Sequence, residues 1–212
     1  MTCFSKSSQL KSSQVLLVSL IIYVGKLYFY SNRFEPEFDD AEAYSVLNID
    51  NSIVYHGYNK DFGPLNLAGL HRYITQLQSR VAQDDKIVVH HTSTNYQKQA
   101  NSCFLICAYQ VIVRGMKPDQ AFKPFKEKGY DQILVPYVDA GDENFTQRGF
   151  EITVLDCLNG LAAGFNLKWY NPASFDLKTY ENLYSVNEGD MNWIIPGQIM
   201  ALSSPIGRKI GE

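Results

Sequence analysis

The sequence predicts an α/β fold in which a mixed sheet is flanked by helices, and three observations support this prediction. Residues 87–89 (Ile-Val-Val) form a β-branched run that is typical of a buried strand. A polar loop follows at residues 92–97, and apolar residues then recur at three- and four-residue spacing over 100–112, as on one face of a helix. A strand that leads into a helix through a polar loop is a common unit of α/β proteins, and such loops often hold anions.

Composition narrows the class of protein. The chain has 212 residues, 45% of them apolar, which is enough for one substantial domain and part of another. A net charge of −3 argues against a general nucleic-acid binder. The four cysteines have no metal-ligand spacing, so we expect reduced thiols in an intracellular protein, with no metal site and no cofactor; they are Cys3, Cys103, Cys107 and Cys157.

The N-terminus allows two interpretations. Residues 1–14 are rich in Ser, Lys and Gln and predict a flexible tail, and residues 15–24 form an apolar run that resembles a signal peptide. No small-residue cleavage site follows, and the run is too short to span a bilayer. A core strand is therefore favoured over a targeting segment.

The first half of the chain predicts short strands followed by a helix. One or two strands are expected over 15–31 with a turn near Gly25, and further strands over 43–48 and 52–55. The acidic run at 33–42 predicts a solvated loop, with a docking surface for basic peptides as the alternative. Residues 61–64 (Asp-Phe-Gly-Pro) predict the start of a helix whose first position is the proline.

The second half is predominantly helical until its last hairpin. Helices are expected over 117–129, with a proline near the start and a glycine at the end, and over 152–164. Asp176 is a suitable N-cap for a helix over 177–184. Residues 193–202, interrupted by Pro-Gly, predict a hairpin or a bent strand.

Four stretches carry a family resemblance, which covers about residues 20–205. The most specific parts are Asp-Phe-Gly-Pro-Leu-Asn at 61–66 and Asn-Trp-Ile-Ile-Pro-Gly at 192–197. In order and separation the stretches resemble the N-terminal half of dual-specificity protein phosphatases of the cell-division-cycle-fourteen type; they are residues 61–73, 86–112, 152–165 and 181–205.

The resemblance implies a phosphatase-like domain without catalytic residues, followed by a linker helix and a catalytic domain. It assigns 15–175 to the first domain, 176–190 to the linker helix and turn, and 191–212 to the first hairpin of the second. An echo of residues 22–27 at 194–199 agrees with a second domain beginning there.

Expected partners follow from the same resemblance. They are a catalytic phosphatase domain, in a longer chain or in trans, and phosphoproteins that carry phosphoserine followed by proline. We expect the chain to bind neither nucleic acid nor a membrane. The expected location is the cytoplasm or nucleus, including the spindle or centrosome, with a role in dephosphorylation during the cell cycle.

Catalysis of the cysteine-phosphatase type requires a thiolate and an arginine in one loop. The positions that resemble the family's phosphate loop hold His90, His91 and Gln97, and no cysteine is followed six residues later by arginine. We therefore predict no catalytic residues. A loop rebuilt around a phosphorylated His91 is the alternative.

We expect the chain to be a non-catalytic domain that supports substrate recognition by a catalytic domain. Candidate residues for binding a basic side chain of the substrate are Glu181, Glu188 and Asp190, whose simpler interpretation is ordinary solvated charge. Two alternatives stay open. One is a stand-alone phosphoprotein-binding or scaffold pseudophosphatase, and the other is a hydrolase with unfamiliar catalytic residues.

Overall fold

A computed structural model describes residues 19–23, 26–38, 40–83, 86–139 and 151–204. The chain divides into two compact units, residues 1–162 and 163–212. The tail predicted at 1–14 and the turn predicted at Gly25 lie outside the described residues.

The first unit contains the predicted mixed sheet. Its strand order is β1-β2-β4-β3, with β1 antiparallel to β2 and with β2 and β3 both parallel to β4. Residues 19–23, within the apolar run that raised the question of a targeting segment, form the first of these strands. The strands are β1 (Ser19–Tyr23), β2 (Leu27–Ser31), β3 (Tyr44–Asn48) and β4 (Ile87–Thr92).

Helix α2 is the centre of the hydrophobic core. The helices are α1 (Leu67–Val81), α2 (Tyr96–Ile112), α3 (Pro118–Glu127), α4 (Tyr130–Ile133) and α5 (Val154–Asn166). The sequence predicted one apolar face for α2, but every residue from 99 to 112 is buried. A helix enclosed on all sides has no need of a polar face.

Two local predictions were wrong. Helix α1 begins at Leu67 rather than at Pro64, because the Oδ1 atom of Asn66 caps it by accepting a hydrogen bond of 3.0 Å from the Gly69 N–H. Residues 52–55 are not a strand. The N–H groups of Ser52 and Ile53 both donate to the Ile49 carbonyl at 3.0 Å, which makes this segment a turn.

Other boundaries were confirmed. Pro118 is the first residue of α3, where the missing N–H of proline removes no helical hydrogen bond. Gly115 and Gly129 follow α2 and α3 with φ of 68° and 76°, a left-handed conformation that favours glycine.

The second unit contains helix α6 (Leu177–Tyr184) and a hairpin of β5 (Asn192–Ile195) and β6 (Ile199–Ala201). Asp176 caps α6 as predicted, since its Oδ1 atom accepts from the Thr179 N–H at 3.0 Å. The two strands are antiparallel, and Gly197 turns between them with φ of 71°. Across the described residues of both units, no helix has the length and apolar character needed to cross a membrane.

Candidate functional site

The loop at residues 93–95 joins β4 to α2 at the carboxyl end of the parallel strands. Ligands of open α/β sheets commonly bind at this edge. The loop ends at Asn95, whose Oδ1 atom accepts a hydrogen bond of 3.1 Å from the Lys98 N–H and so caps α2. The strand–loop–helix arrangement in which proteins often bind phosphate is therefore present.

His90, the first of the predicted phosphate-loop positions, is a core residue. Its side chain is fully buried, and its Nδ1 atom lies 2.7 Å from the Tyr73 hydroxyl. The pKa of His90 is lowered to about 3, chiefly by burial, while the nearby Asp50 raises it and the nearby His91 lowers it by smaller amounts. The imidazole is thus neutral at physiological pH and does not reach the loop surface.

His91 is also buried, and both of its ring nitrogens are bonded. Nδ1 lies 2.9 Å from the Asn48 amide nitrogen, and Nε2 lies 3.0 Å from the Asn32 carbonyl. An amide nitrogen only donates and a carbonyl only accepts, so Nδ1 accepts and Nε2 carries the proton. A phosphorylated His91 would lose one of these hydrogen bonds, which disfavours the rebuilt loop considered above.

Gln97 lies in the first turn of α2 and is exposed. The three predicted positions therefore do not form one site, because two lie in the interior of β4 and one at the surface of a helix. The hydrogen bonds of His90 and His91 hold the sheet, and a former phosphate-binding role of these three positions stays a prediction.

The residue that organises this loop is Asp50, which the sequence analysis did not identify. Its carboxylate accepts hydrogen bonds from the Thr92 hydroxyl at 2.8 Å and from the Ser93 N–H at 2.9 Å. The Asp50 side chain is only 6% exposed, and the Lys98 ammonium lies 4.0 Å away. Donors that could face a bound anion are thus directed at a carboxylate of the chain itself.

A second set of hydrogen bonds holds the loop from the side of β2. Ser31 donates its hydroxyl to the Ser93 carbonyl at 3.1 Å, and the Gln99 side-chain amide donates to the Ser31 oxygen at 2.8 Å. The signal for Asp50 was available in the sequence, since Asn48, Asp50 and Asn51 are polar residues at and after the end of β3.

None of the three cysteines among the described residues lies in this loop. Cys103 and Cys107 lie buried in the body of α2, and burial raises the pKa of the Cys103 thiol well above its ordinary value. Burial also raises the pKa of Cys157 to about 11. No cysteine or arginine lies between Thr92 and Lys98.

The acidic candidates lie in the second unit. Glu181 is half-buried on α6, whereas Glu188 and Asp190 are exposed on the turn that follows. Gly189 fixes this turn, since its φ is 108° and its carbonyl accepts hydrogen bonds from the N–H and hydroxyl of Ser203. Their role in binding a basic side chain stays a prediction.

Comparison with known proteins identifies the family. Residues 21–164 match the family model described as "Dual specificity protein phosphatase, N-terminal half". The chain belongs to this family. It is 37% identical over 183 residues to the mouse dual specificity protein phosphatase CDC14A and 36% identical over 183 residues to the human CDC14A.

The family extends to yeast. The tyrosine-protein phosphatase CDC14 of Saccharomyces cerevisiae is 27% identical over 184 residues. Each of these three alignments covers 85% of this chain but only 29%, 30% and 32% of the mouse, human and yeast protein, respectively. The chain thus spans about a third of the length of these relatives, and the predicted resemblance to CDC14-type phosphatases is confirmed for their N-terminal region.

Proposed function

We propose that this chain is a non-catalytic phosphatase-like domain, without the active-site cysteine and arginine, that supports substrate recognition by the catalytic domain of a dual-specificity protein phosphatase. The observation that carries this proposal is the hydrogen bonding of Asp50. The Thr92 hydroxyl at the end of β4 and the Ser93 N–H in the loop both donate to an internal carboxylate, so they are not offered to a phosphoryl group.

Charge supports the same conclusion. A phosphoryl group in this loop would lie beside the buried Asp50 carboxylate, and like charges at such short range repel strongly. A phosphatase needs the opposite arrangement, in which an arginine and backbone N–H groups stabilise the negative charge of the transition state. The loop is suited to holding β3, β4 and α2 together.

The recognition role rests on the acidic residues of the second unit. Glu188 and Asp190 lie exposed on a hydrogen-bonded turn directly after α6, where a basic side chain could approach them. We propose that, with Glu181, they attract the basic residue of a phosphoserine-proline substrate once a catalytic domain completes the groove. Such charges contribute mainly to specificity and to the association rate.

Catalysis is tested with the purified 212-residue chain, p-nitrophenyl phosphate and a phosphoserine-proline peptide. We expect no turnover above that of a blank without protein. Turnover that His91→Ala abolishes and Cys107→Ser leaves intact would contradict the proposal, because it would make the β4–α2 loop an active site.

Recognition is tested in a chimera in which this chain replaces the matching segment of human CDC14A. The readout is the ratio of kcat/KM for phosphoserine-proline peptides that carry Lys or Ala at the basic position. We expect the triple variant Glu181→Gln, Glu188→Gln, Asp190→Asn to lower this ratio about fivefold, since exposed charge pairs are each worth about 0.2–1 kcal/mol.

The matched control changes three acidic residues of the 33–42 run by the same charge. Its substitutions are Glu35→Gln, Glu37→Gln and Glu42→Gln, at exposed positions. The control should retain the preference for Lys. An equal loss in both triple variants would show that the preference for Lys is not specific to the acidic turn, and no loss in either variant would exclude the acidic turn from substrate recognition.

A further inference from the structure

A cavity of about 150 Å³ lies beside the start of α2, within the first unit. The turn after β3 and the segment around Phe62 form its other walls. Its volume equals that of an engineered apolar cavity known to admit benzene, so one six-membered ring fits. Both apolar and polar side chains line it, among them Ile53, Tyr55 and Phe62, and Asp50, Lys98 and Asn101.

Asn101 is the residue of this cavity that indicates a bound ligand. It lies on the second turn of α2, is only 7% exposed, and lines the cavity. Its Oδ1 atom has no hydrogen-bond partner among the described residues. Buried amides in native proteins are nearly always hydrogen-bonded, so an unpartnered one on a cavity wall points to a partner that the chain does not supply.

The charges of the cavity argue against an anion. Asp50 and Lys98 bring one negative and one positive charge, and the Asp50 carboxylate already receives the nearby Thr92 and Ser93 donors. Each carboxylate oxygen has two lone pairs, so Asp50 retains capacity to accept from a ligand. The site therefore favours a ligand that brings N–H donors on an apolar body.

We propose that this cavity binds a small planar heteroaromatic ring that carries an amino group beside a ring nitrogen, and that Asn101 is its recognition residue. A side-chain amide pairs with such an edge through two hydrogen bonds, since its carbonyl accepts from the amino group while its NH₂ donates to the ring nitrogen. Phe62 and Tyr55 supply aromatic surface for the ring, and Asp50 offers a further acceptor to the amino group.

The test is a titration of the ¹⁵N-labelled 212-residue chain with three probes of similar size, followed by NMR. These probes are 2-aminopyridine, which has the proposed edge, toluene, which has only the apolar body, and benzoate, which is an anion. We expect saturable shifts at the Asn101 side-chain amide and at residues 49–55 for 2-aminopyridine, with at least tenfold weaker binding of toluene and none of benzoate.

Each alternative result overturns the proposal. Equal binding of toluene would make the cavity an apolar hole, and preferred binding of benzoate would make it an anion site at the helix start. The absence of saturable shifts with every probe would leave no small-molecule site. These outcomes are read on the natural chain, so they do not depend on any variant folding.

Two variants then locate the interaction. Asn101→Leu removes the amide at similar volume, and we expect it to weaken 2-aminopyridine binding at least tenfold. Gln110→Leu is the matched control, because Gln110 is a buried amide on the same helix without a hydrogen-bond partner among the described residues, and it does not line the cavity. Equal weakening by both variants, or by neither, would show that Asn101 does not recognise the ligand.

Discussion

Replacing Asp50 with alanine removes the carboxylate that accepts two hydrogen bonds from the β4–α2 loop. Thr92 is fully buried, so its hydroxyl would lose its partner without access to water. Ser93 is half-buried, and water could replace part of its lost hydrogen bond. A buried unsatisfied polar group costs about 1–3 kcal/mol, so we expect Asp50→Ala to lower the free energy of unfolding by about 3 kcal/mol.

Asp50→Asn is the matched variant, since it keeps the shape and removes the charge. Its carbonyl can accept from Ser93 while its NH₂ donates to the Thr92 oxygen, so the expected loss is about 1 kcal/mol. Both values are measured by urea denaturation at neutral pH, with an unchanged slope against urea as the check that the unfolding reaction is the same.

Added phosphate distinguishes the proposed geometry from simple loss of packing. Without the carboxylate, the Ser93 N–H and the start of α2 become available to an anion. For a dissociation constant of about 1 mM, phosphate at about 10 mM would restore about 1.4 kcal/mol to Asp50→Ala. Sodium chloride at equal ionic strength should restore nothing, and the natural chain should not respond to phosphate.

Two results would refute this reasoning. A loss below about 0.5 kcal/mol in Asp50→Ala would mean that the two hydrogen bonds contribute little, which contradicts the burial of Thr92. Equal stabilisation of the natural chain by phosphate would mean that the carboxylate does not occupy the anion position.

Three further predictions concern stability. His90 has a pKa of about 3 in the folded chain against its ordinary value of 6.5, so only the unfolded chain takes up this proton between these pH values. The free energy of unfolding should therefore fall by about 1.4 kcal/mol per pH unit as pH drops from about 6.5 toward 3. In urea melts at pH 7 and pH 4.5, His90→Gln should remove this part of the pH dependence. Asp176→Ala should destabilise α6 by about 1 kcal/mol, seen as faster amide exchange confined to 177–184. Gln110→Leu should raise the urea midpoint, because it removes a buried amide that has no hydrogen-bond partner among the described residues and that costs about 1–3 kcal/mol. A lowered midpoint would contradict this prediction.

Local chemistry explains why many element boundaries could be predicted. Asp176 caps α6 and Pro118 begins α3 because capping and the geometry of proline act within a few residues. The same reasoning placed α1 too early, since Pro64 and Asn66 are both suitable start signals and only Asn66 caps the helix.

The loop at 93–95 shows where local reasoning stops. Its position between β4 and α2 was clear from the alternation of apolar and polar residues, and so was the absence of a nearby cysteine and arginine. The hydrogen bonds of His90 and His91 could not be predicted from the sequence, because their partners lie between 17 and 59 residues away; they are Tyr73, Asn48 and Asn32.

The sequence by itself determined the α/β class, most helices and strands, and the family, because these depend on residue periodicity, end signals and motif order. Only the tertiary structure decided that α2 is enclosed on every side, that Asp50 occupies the loop, and that Asn101 faces a cavity without a described partner. Each of these depends on side chains that are distant in the sequence and meet only in the folded chain. Contacts between residues so distant in the sequence depend on packing and hydrogen bonding in the folded chain, and a local sequence pattern does not predict them.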